Sequence, residues 1–440
     1  MIRKYVYSLL ALFFILGNNY QVQAQDRKDN KEELSIQLQL RPRAEIRNGL
    51  FTPILEGQKA ASFIAQRSRI SLLYSKNQHL KMGFSTQMVN TWGNDPQVQP
   101  TANDVSVYEA WAQLYFNPEW NVKLGRQILS YDDERLLGAL DWNNSGRKHD
   151  AAVIGFEKSK FKLNVGLAFN QNSEKVTNTF FDNTLSQPYK SMHFVWLKYQ
   201  VSEAVSFSAI GLNLQIQNKI DSSVANLFTG GGNLFIHKDK WNIQGTYYFQ
   251  FGNKPVINSA EIKTSAWMTA IKVGYQVDKK WTATIGSDYL SGRDMNTSST
   301  TITSFDPLYA TGHKFYGSMD YFYVSSAHQN VGLWDSYIGV QFKPSEKIES
   351  QLTFHHFEAA AKVVNSNNQS VSKNLGNEVD WSFNYSIMDD VKMSGGYSQM
   401  FTNSSMKNVK NIANNQTMKA TQNWFWLSFN FNPRILLKLK

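Results

Sequence analysis

Arg41 and Arg43 stand two residues apart, as do Arg67 and Arg69, and both pairs fall in stretches that alternate between apolar and polar side chains. Residues two apart in an extended chain share a face. If the two stretches are neighbouring strands, four guanidinium groups project to one side. A guanidinium grips a carboxylate in a two-pronged geometry that lysine cannot match, so the chemistry on offer is recognition of anions. By the same alternation Lys123, Arg147, Lys198, Lys272 and Lys392 join the polar face. Arg126 departs from it, because its parity is that of Val122, Leu124 and Ile128 unless a bulge or the rim intervenes.

Catalysis has little to work with. The chain has no cysteine, which removes disulfides, thiol nucleophiles and zinc-thiolate sites. His149, His193, His313 and His328 lie near loops with no nucleophile elbow beside them. His355 and His356 are consecutive strand positions and point to opposite faces, so they cannot jointly hold a metal. Asp95, Asp104, Asp132 and Asp133 offer oxygen ligands that could hold calcium together with loop carbonyls, although a solvated loop is the simpler account. No other cofactor is expected. Gly230, Gly231 and Gly232 lack the lysine and strand-to-helix context of a phosphate loop and mark a kink or close approach in a strand. Nucleic acid is excluded because the basic residues are spread along many strands and form no stripe.

The elements that must position the arginines can be read from the alternation. In Ser35 to Ile46, Ile36, Leu38, Leu40, Ala44 and Ile46 oppose Gln37, Gln39, Arg41, Arg43 and Glu45. Val379, Trp381, Phe383, Tyr385 and Ile387 likewise oppose Glu378, Asp380, Ser382, Asn384 and Ser386. Stretches of about ten residues or more exceed the usual strands of a soluble sandwich and match a tilted membrane crossing. Short connections around Asn77, Pro118, Ser159, Glu203, Asp239, Lys279, Ser345 and Asp389 alternate with nine longer polar stretches, among them Ser130 to Ser145, Gly252 to Glu261 and Ser291 to Gly332. The rhythm predicts an all-β fold, a transmembrane antiparallel β-barrel of about 18 strands with short periplasmic turns and long extracellular loops. An even count keeps both chain ends on the short-turn side, so His313 to Val324 is assigned to a loop that folds over or into the lumen. Tyr74, Phe116, Trp120, Tyr199, Trp241, Trp281, Phe342 and Phe431 sit near the short turns, where aromatic rings favour the headgroup level.

Arg3 and Lys4 followed by an apolar run from Tyr5 to Leu16 and by Val22-Gln23-Ala24 read as a secretory signal over residues 1–24. The run is too short to span a bilayer as a helix, which takes roughly twenty residues. After it come a polar periplasmic tail over 25–34, one barrel over 35–432 and a basic C-terminal tail over 433–440, the last strand ending at Phe431 and the tail trailing into the periplasm. Formal net charge is +10, and losing Arg3 and Lys4 with the signal leaves +8. Such a chain belongs in the outer membrane of a Gram-negative bacterium.

Several stretches resemble the alginate export family of outer-membrane porins. They are Gln66-Arg67-Ser68-Arg69-Ile70, Leu124-Gly125-Arg126-Gln127, Tyr131 to Gly138, Asp141-Trp142-Asn143-Asn144, Gly146-Arg147 and Asp150-Ala151-Ala152. Phe305 to Tyr309, Gly312 to Gly317 and Met319 to Tyr323 are similar to it too. The resemblance implies an eighteen-stranded barrel whose arginine-rich constriction passes a polyuronate. It implies Arg67, Arg69, Arg126, Arg135 and Arg147 as contacts for that polymer, with Asp133 and Asp150 as acidic partners that orient them.

Two accounts of the charge stay open. A cationic lumen selects anions, since a constricted low-dielectric passage focuses the field. Alternatively the cations pair with Glu45, Glu109, Glu378 and Asp380 across a water-filled lumen and select nothing. Two functional classes also stay open, a diffusion channel for acidic oligo- or polysaccharide and a closed structural or adhesive barrel that acts through its outer loops. Expected partners are outer-membrane lipid, an anionic oligosaccharide or polysaccharide and periplasmic components of export or uptake.

Overall fold

The computed structural model describes residues 32–98, 105–182, 189–218, 223–256, 259–323 and 328–439. The expected signal segment, residues 1–24, lies outside them. The chain folds as one large antiparallel sheet closed on itself, with a separate two-stranded pairing of Val363–Val364 and Ser370–Val371 between the fifteenth and sixteenth of its strands. Its strands are β1 (Glu32–Asn48), β2 (Ala61–Lys76), β3 (Leu80–Thr91), β4 (Val105–Tyr115), β5 (Trp120–Gln127), β6 (His149–Lys158), β7 (Phe161–Phe169), β8 (Ser191–Gln200) and β9 (Val205–Gln217). There follow β10 (Val224–Lys238), β11 (Trp241–Val256), β12 (Ser259–Gln276), β13 (Trp281–Leu290), β14 (Leu333–Ser345), β15 (Ile348–Glu358), β16 (Asn374–Met388), β17 (Val391–Thr402), β18 (Thr421–Phe431) and β19 (Arg434–Leu439). Each strand pairs with the next as far as β18, and β18 and β19 together close on β1, so the wall has eighteen places.

Alternation sorts the two faces as the sequence predicts. Leu38, Leu40 and Ile46 of β1 and Ile70 and Leu72 of β2 are exposed on the outside. Arg43, Glu45 and Arg67 are buried on the inside. Around the short turns Trp120, Tyr199, Trp241, Trp281 and Phe431 stay exposed. Several stack on neighbours, as Trp281 does on Phe342 at 4.2 Å between ring centres. All eight short turns fall where the sequence places them.

Two expectations need correction. Gly252 to Glu261 is no long loop, since β11 and β12 run on to Val256 and Ser259 with Asn253 opposite Lys263. Backbone pairing continues there, and Asn253 donates to Glu261 at 2.9 Å. A hairpin wet on both faces loses the apolar alternation that marks a strand, so polarity alone misled. Nor does the last strand end in a free tail. After Asn432-Pro433 the chain resumes as β19, which pairs from Arg434↔Gln37 to Leu439↔Glu32. Leu40 of β1 pairs with Phe431, so without β19 the lower part of β1 would be an open edge with unsatisfied backbone groups.

Much of the barrel's interior core comes from loops. The third loop (residues 128–148) and the seventh (residues 291–332) meet inside the barrel. Leu137 and Tyr309 form a parallel bridge, with Gly138 N–H donating to the Tyr309 carbonyl at 2.9 Å and Thr311 N–H to that of Glu134 at 2.9 Å. Leu136, Leu137, Phe305, Tyr316, Met319, Tyr321 and Phe322 are buried there. Among the described residues His313 to Tyr323 forms no strand, as the parity argument requires, and a 3-10 turn spans Gly312–Lys314; Val324 lies outside the described residues.

Candidate channel lumen

The arginine pairs of β1 and β2 do meet. Arg41 lies directly opposite Arg67 and Gln39 opposite Arg69. What holds four like charges on adjacent strands is the third loop. Asp141 accepts from Arg67 at 2.8 Å and from Arg41 at 3.3 Å. Asn144 Oδ1 accepts from Arg41 at 2.8 Å, and the Trp142 carbonyl accepts from Arg43 at 2.8 Å. Glu45 takes both Arg43 and Arg47 at 2.8 Å. Arg69 is held by Gln87 Oε1 at 2.6 and 3.0 Å and lies 3.6 Å over the Tyr108 ring. Four guanidinium groups therefore share two carboxylates while Arg69 is held by neutral partners, and the cluster of five keeps a net positive charge.

Arg135 serves a different joint. It lies in the third loop, donates to Asp133 at 2.8 Å and grips both oxygens of Asp288 on β13 at 2.8 and 3.1 Å. Its guanidinium also stacks 4.0 Å over Phe315 of the seventh loop, and it is buried. Asp133 further accepts from Gln244, at 2.6 Å, which ties the third loop to β11. Asp132 accepts from the Trp196 indole at 3.0 Å. Among the described residues no group of three or more metal-ligating side chains comes together, and Asp104 lies outside them.

Arg126 and Asp150 form an ion pair at 2.9 Å, directly opposite each other on β5 and β6. They share the face of Leu124 and Trp120, which is the outside of the barrel. The parity of Arg126 holds, and the lumenal place that the resemblance implies for these two residues is corrected: no bulge separates Arg126 from Leu124, so period-two geometry turns it out. Lys272 lies on the lumenal face of β12, opposite Gln244 and Gly286, and is exposed to the interior. Lys123, Lys198 and Lys392 also face inward by register.

Elsewhere on the wall Asp288 of β13 and Asp335 of β14, acids the sequence did not single out, stand with His355 of β15 beside Asp380 and Glu378 of β16. His355 Nδ1 is 2.9 Å from Asp335 and its Nε2 is 3.7 Å from Asp380. Glu378 and Asp380 do not pair with the arginines. They accept backbone N–H groups of the seventh loop instead, from Met319 at 2.8 Å and Ser318 at 3.1 Å. Gly317 precedes them at φ +82°, and a Cβ there would sit 2.8 Å from the Glu378 oxygens, so only glycine permits the clasp.

Between the first loop (residues 49–60), the third and the seventh lies a cavity of about 420 Å³. Arg43, Arg47 and Arg147 line it together with Trp142, His313 and Trp424. Trp142 is held between Arg43, 4.0 Å over its ring, and His313, stacked at 4.3 Å and bonded through Nδ1 to Asp320 at 2.9 Å. Arg147 donates to the Ala310 carbonyl at 2.8 Å, and burial lowers its pKa. Alternation from Arg43 could have found Arg47. Nothing local could have found the contact between Trp142 and His313, 171 positions apart.

The wall resembles solved porins with low sequence identity. OpdK of Pseudomonas aeruginosa, a structure with vanillate, aligns at a TM-score of 0.60 and 9% identity, covering 91% of this chain and 99% of that one. OccAB4 of Acinetobacter baumannii aligns at 0.59 and 11%, covering 93% and 100%. OpdO of P. aeruginosa aligns at 0.59 and 12%, covering 92% and 97%. No curated protein sequence matches. The family description "Alginate export" matches residues 32–421, nearly the whole barrel. With that match, the chain belongs to the alginate export family and is a transport channel of the Gram-negative outer membrane rather than an enzyme.

Proposed function

We propose that the channel passes anionic oligo- or polysaccharide of the uronate type by diffusion, with the arginine cluster of β1 and β2 and the cavity above it as the selective region. The supporting observation is the excess of guanidinium over carboxylate, five against two, on one patch of wall. A fixed positive field in a narrow, partly desolvated passage raises the local concentration of anions and repels cations. Arg47 and Arg147 line the cavity and are the residues best placed to meet a carboxylate. Asp141 and Glu45 keep Arg41, Arg43 and Arg67 in place, a positioning role.

A smaller carboxylate is the second reading, favoured by the vanillate in the OpdK structure. Both readings require anion preference. Reversal potentials of purified protein in a planar bilayer under a salt gradient test it, and current block by oligouronates against vanillate ranks the substrates. Cation preference, or a barrel that carries no steady current, refutes the proposal.

A further inference from the structure

The lower half of the lumen carries an aromatic platform apart from the arginine cluster. Trp111 lies on β4, four positions before that strand ends at a short turn, and faces inward with Glu109, Gln113 and Tyr115. Its register partner on β3 is Gly83. A Cβ on Gly83 would lie 2.4 Å from Trp111 Cε2 and 2.5 Å from Cζ2, so the indole rests flat against the wall where a side chain is missing. The indole N–H donates to Glu109 at 3.1 Å, which fixes the ring's direction. A flat, oriented indole on a polar wall is costly to keep wet and is suited to one kind of contact, an apolar face pressed against it.

Two ammonium groups flank it. Lys81 on β3 and Lys123 on β5 both pair with Gln113, so the three form one row across the wall, with Trp111 above and Tyr115 below. Lys123 Nζ lies 3.8 Å from the centre of the Trp111 ring and Lys81 Nζ lies 5.3 Å from that of Tyr115. Among the described residues neither has a carboxylate within ion-pair distance. With β4 between them the two stems stand two strand spacings apart, about 10 Å, a gap that two long lysine side chains can close from either side onto one bound acid.

We infer that Trp111, Lys81 and Lys123 form a second station, one that takes an acidic sugar with its C–H face on the indole and its carboxylate on the lysines. This rests on the anion-channel reading and narrows it. Pyranose rings present a C–H face that stacks on indole, whereas a non-sugar polycarboxylate gains only the ammonium contacts. Lys123 exchanges its contact with the ring for one with the carboxylate, a small loss for a long flexible side chain.

The test is single-channel block by a defined oligouronate and by citrate, in the wild type and in W111A, W111F and the double variant K81M/K123M. W111A should shorten oligouronate block about tenfold, with citrate block unchanged, and W111F should fall between. The lysine double variant should weaken both blocks. Compact migration of every variant on unheated gels shows an intact barrel. A wild-type channel blocked by oligouronate with equal residence in W111A overturns the station and leaves the channel reading standing. Equal loss of both blocks in W111A also overturns it. A wild type that neither anion blocks overturns the station and the reading beneath it.

Discussion

Neutralising Arg47 and Arg69 together, as R47Q/R69Q, probes the field of the arginine cluster with little structural damage. Glu45 keeps Arg43 at 2.8 Å when Arg47 is lost, and Arg69 is held by Gln87 and Tyr108 with no carboxylate to strand. Leaving no buried acid unpaired matters, because an orphaned charge costs several kcal/mol and would confuse the readout. A permeating ion about 7 Å from each guanidinium in water feels about 0.6 kcal/mol per charge, roughly halved by screening in 0.1 M salt. Two charges then favour an anion by about 0.6 kcal/mol and oppose a cation equally, so the permeability ratio should fall about eightfold in the double variant. Reversal potentials across a tenfold potassium chloride gradient measure that ratio directly. An unchanged reversal potential in a double variant of normal conductance would refute the claim that this cluster sets selectivity.

Three further outcomes are expected. Lys410, in the ninth loop (residues 403–420) against carbonyls of Phe51 and Tyr321, has its pKa lowered by burial to about 7, so the unfolded chain binds the extra proton between about pH 7 and its ordinary value of 10.5. Stability of that loop should therefore rise as pH increases across this window, with proteolysis of the loop faster at pH 6.5 than at 9.5 and the difference abolished in K410M. Deleting residues 434–440 removes the six register pairs of β19 with β1, about 6 kcal/mol at roughly one per hydrogen bond, and should lower the temperature at which the barrel loses its compact migration on gels. R135M should destabilise the protein by about 3–5 kcal/mol by leaving the buried Asp288 without its cation, D288N should cost less because Asp133 still pairs with Arg135, and the double change should cost less than R135M alone in urea unfolding.

Local rules explain which parts of the fold were legible. Alternation of side chains is a steric property of each strand, so Leu38 against Gln39 reveals two faces without knowledge of any neighbour. The turns around Ser159 and Asp239 are two residues long and local, and they came out correctly for the same reason. Arg126 shows the strength of that rule, since its parity gave its side and the family likeness did not. The rule fails where a strand leaves the apolar layer, as in β11 and β12, and where pairing follows from a gap elsewhere, as in β19.

The sequence by itself determined a closed, eighteen-place wall, its apolar outside and its polar inside, because those follow from period two and chain parity. Only the tertiary structure decided what the basic residues touch. Asp141 reaches Arg67 across 74 positions and Asp288 reaches Arg135 across 153, because the third and seventh loops fold back into the barrel. Contacts of that span depend on how loops pack against a curved wall, and no local pattern of residues encodes their distances.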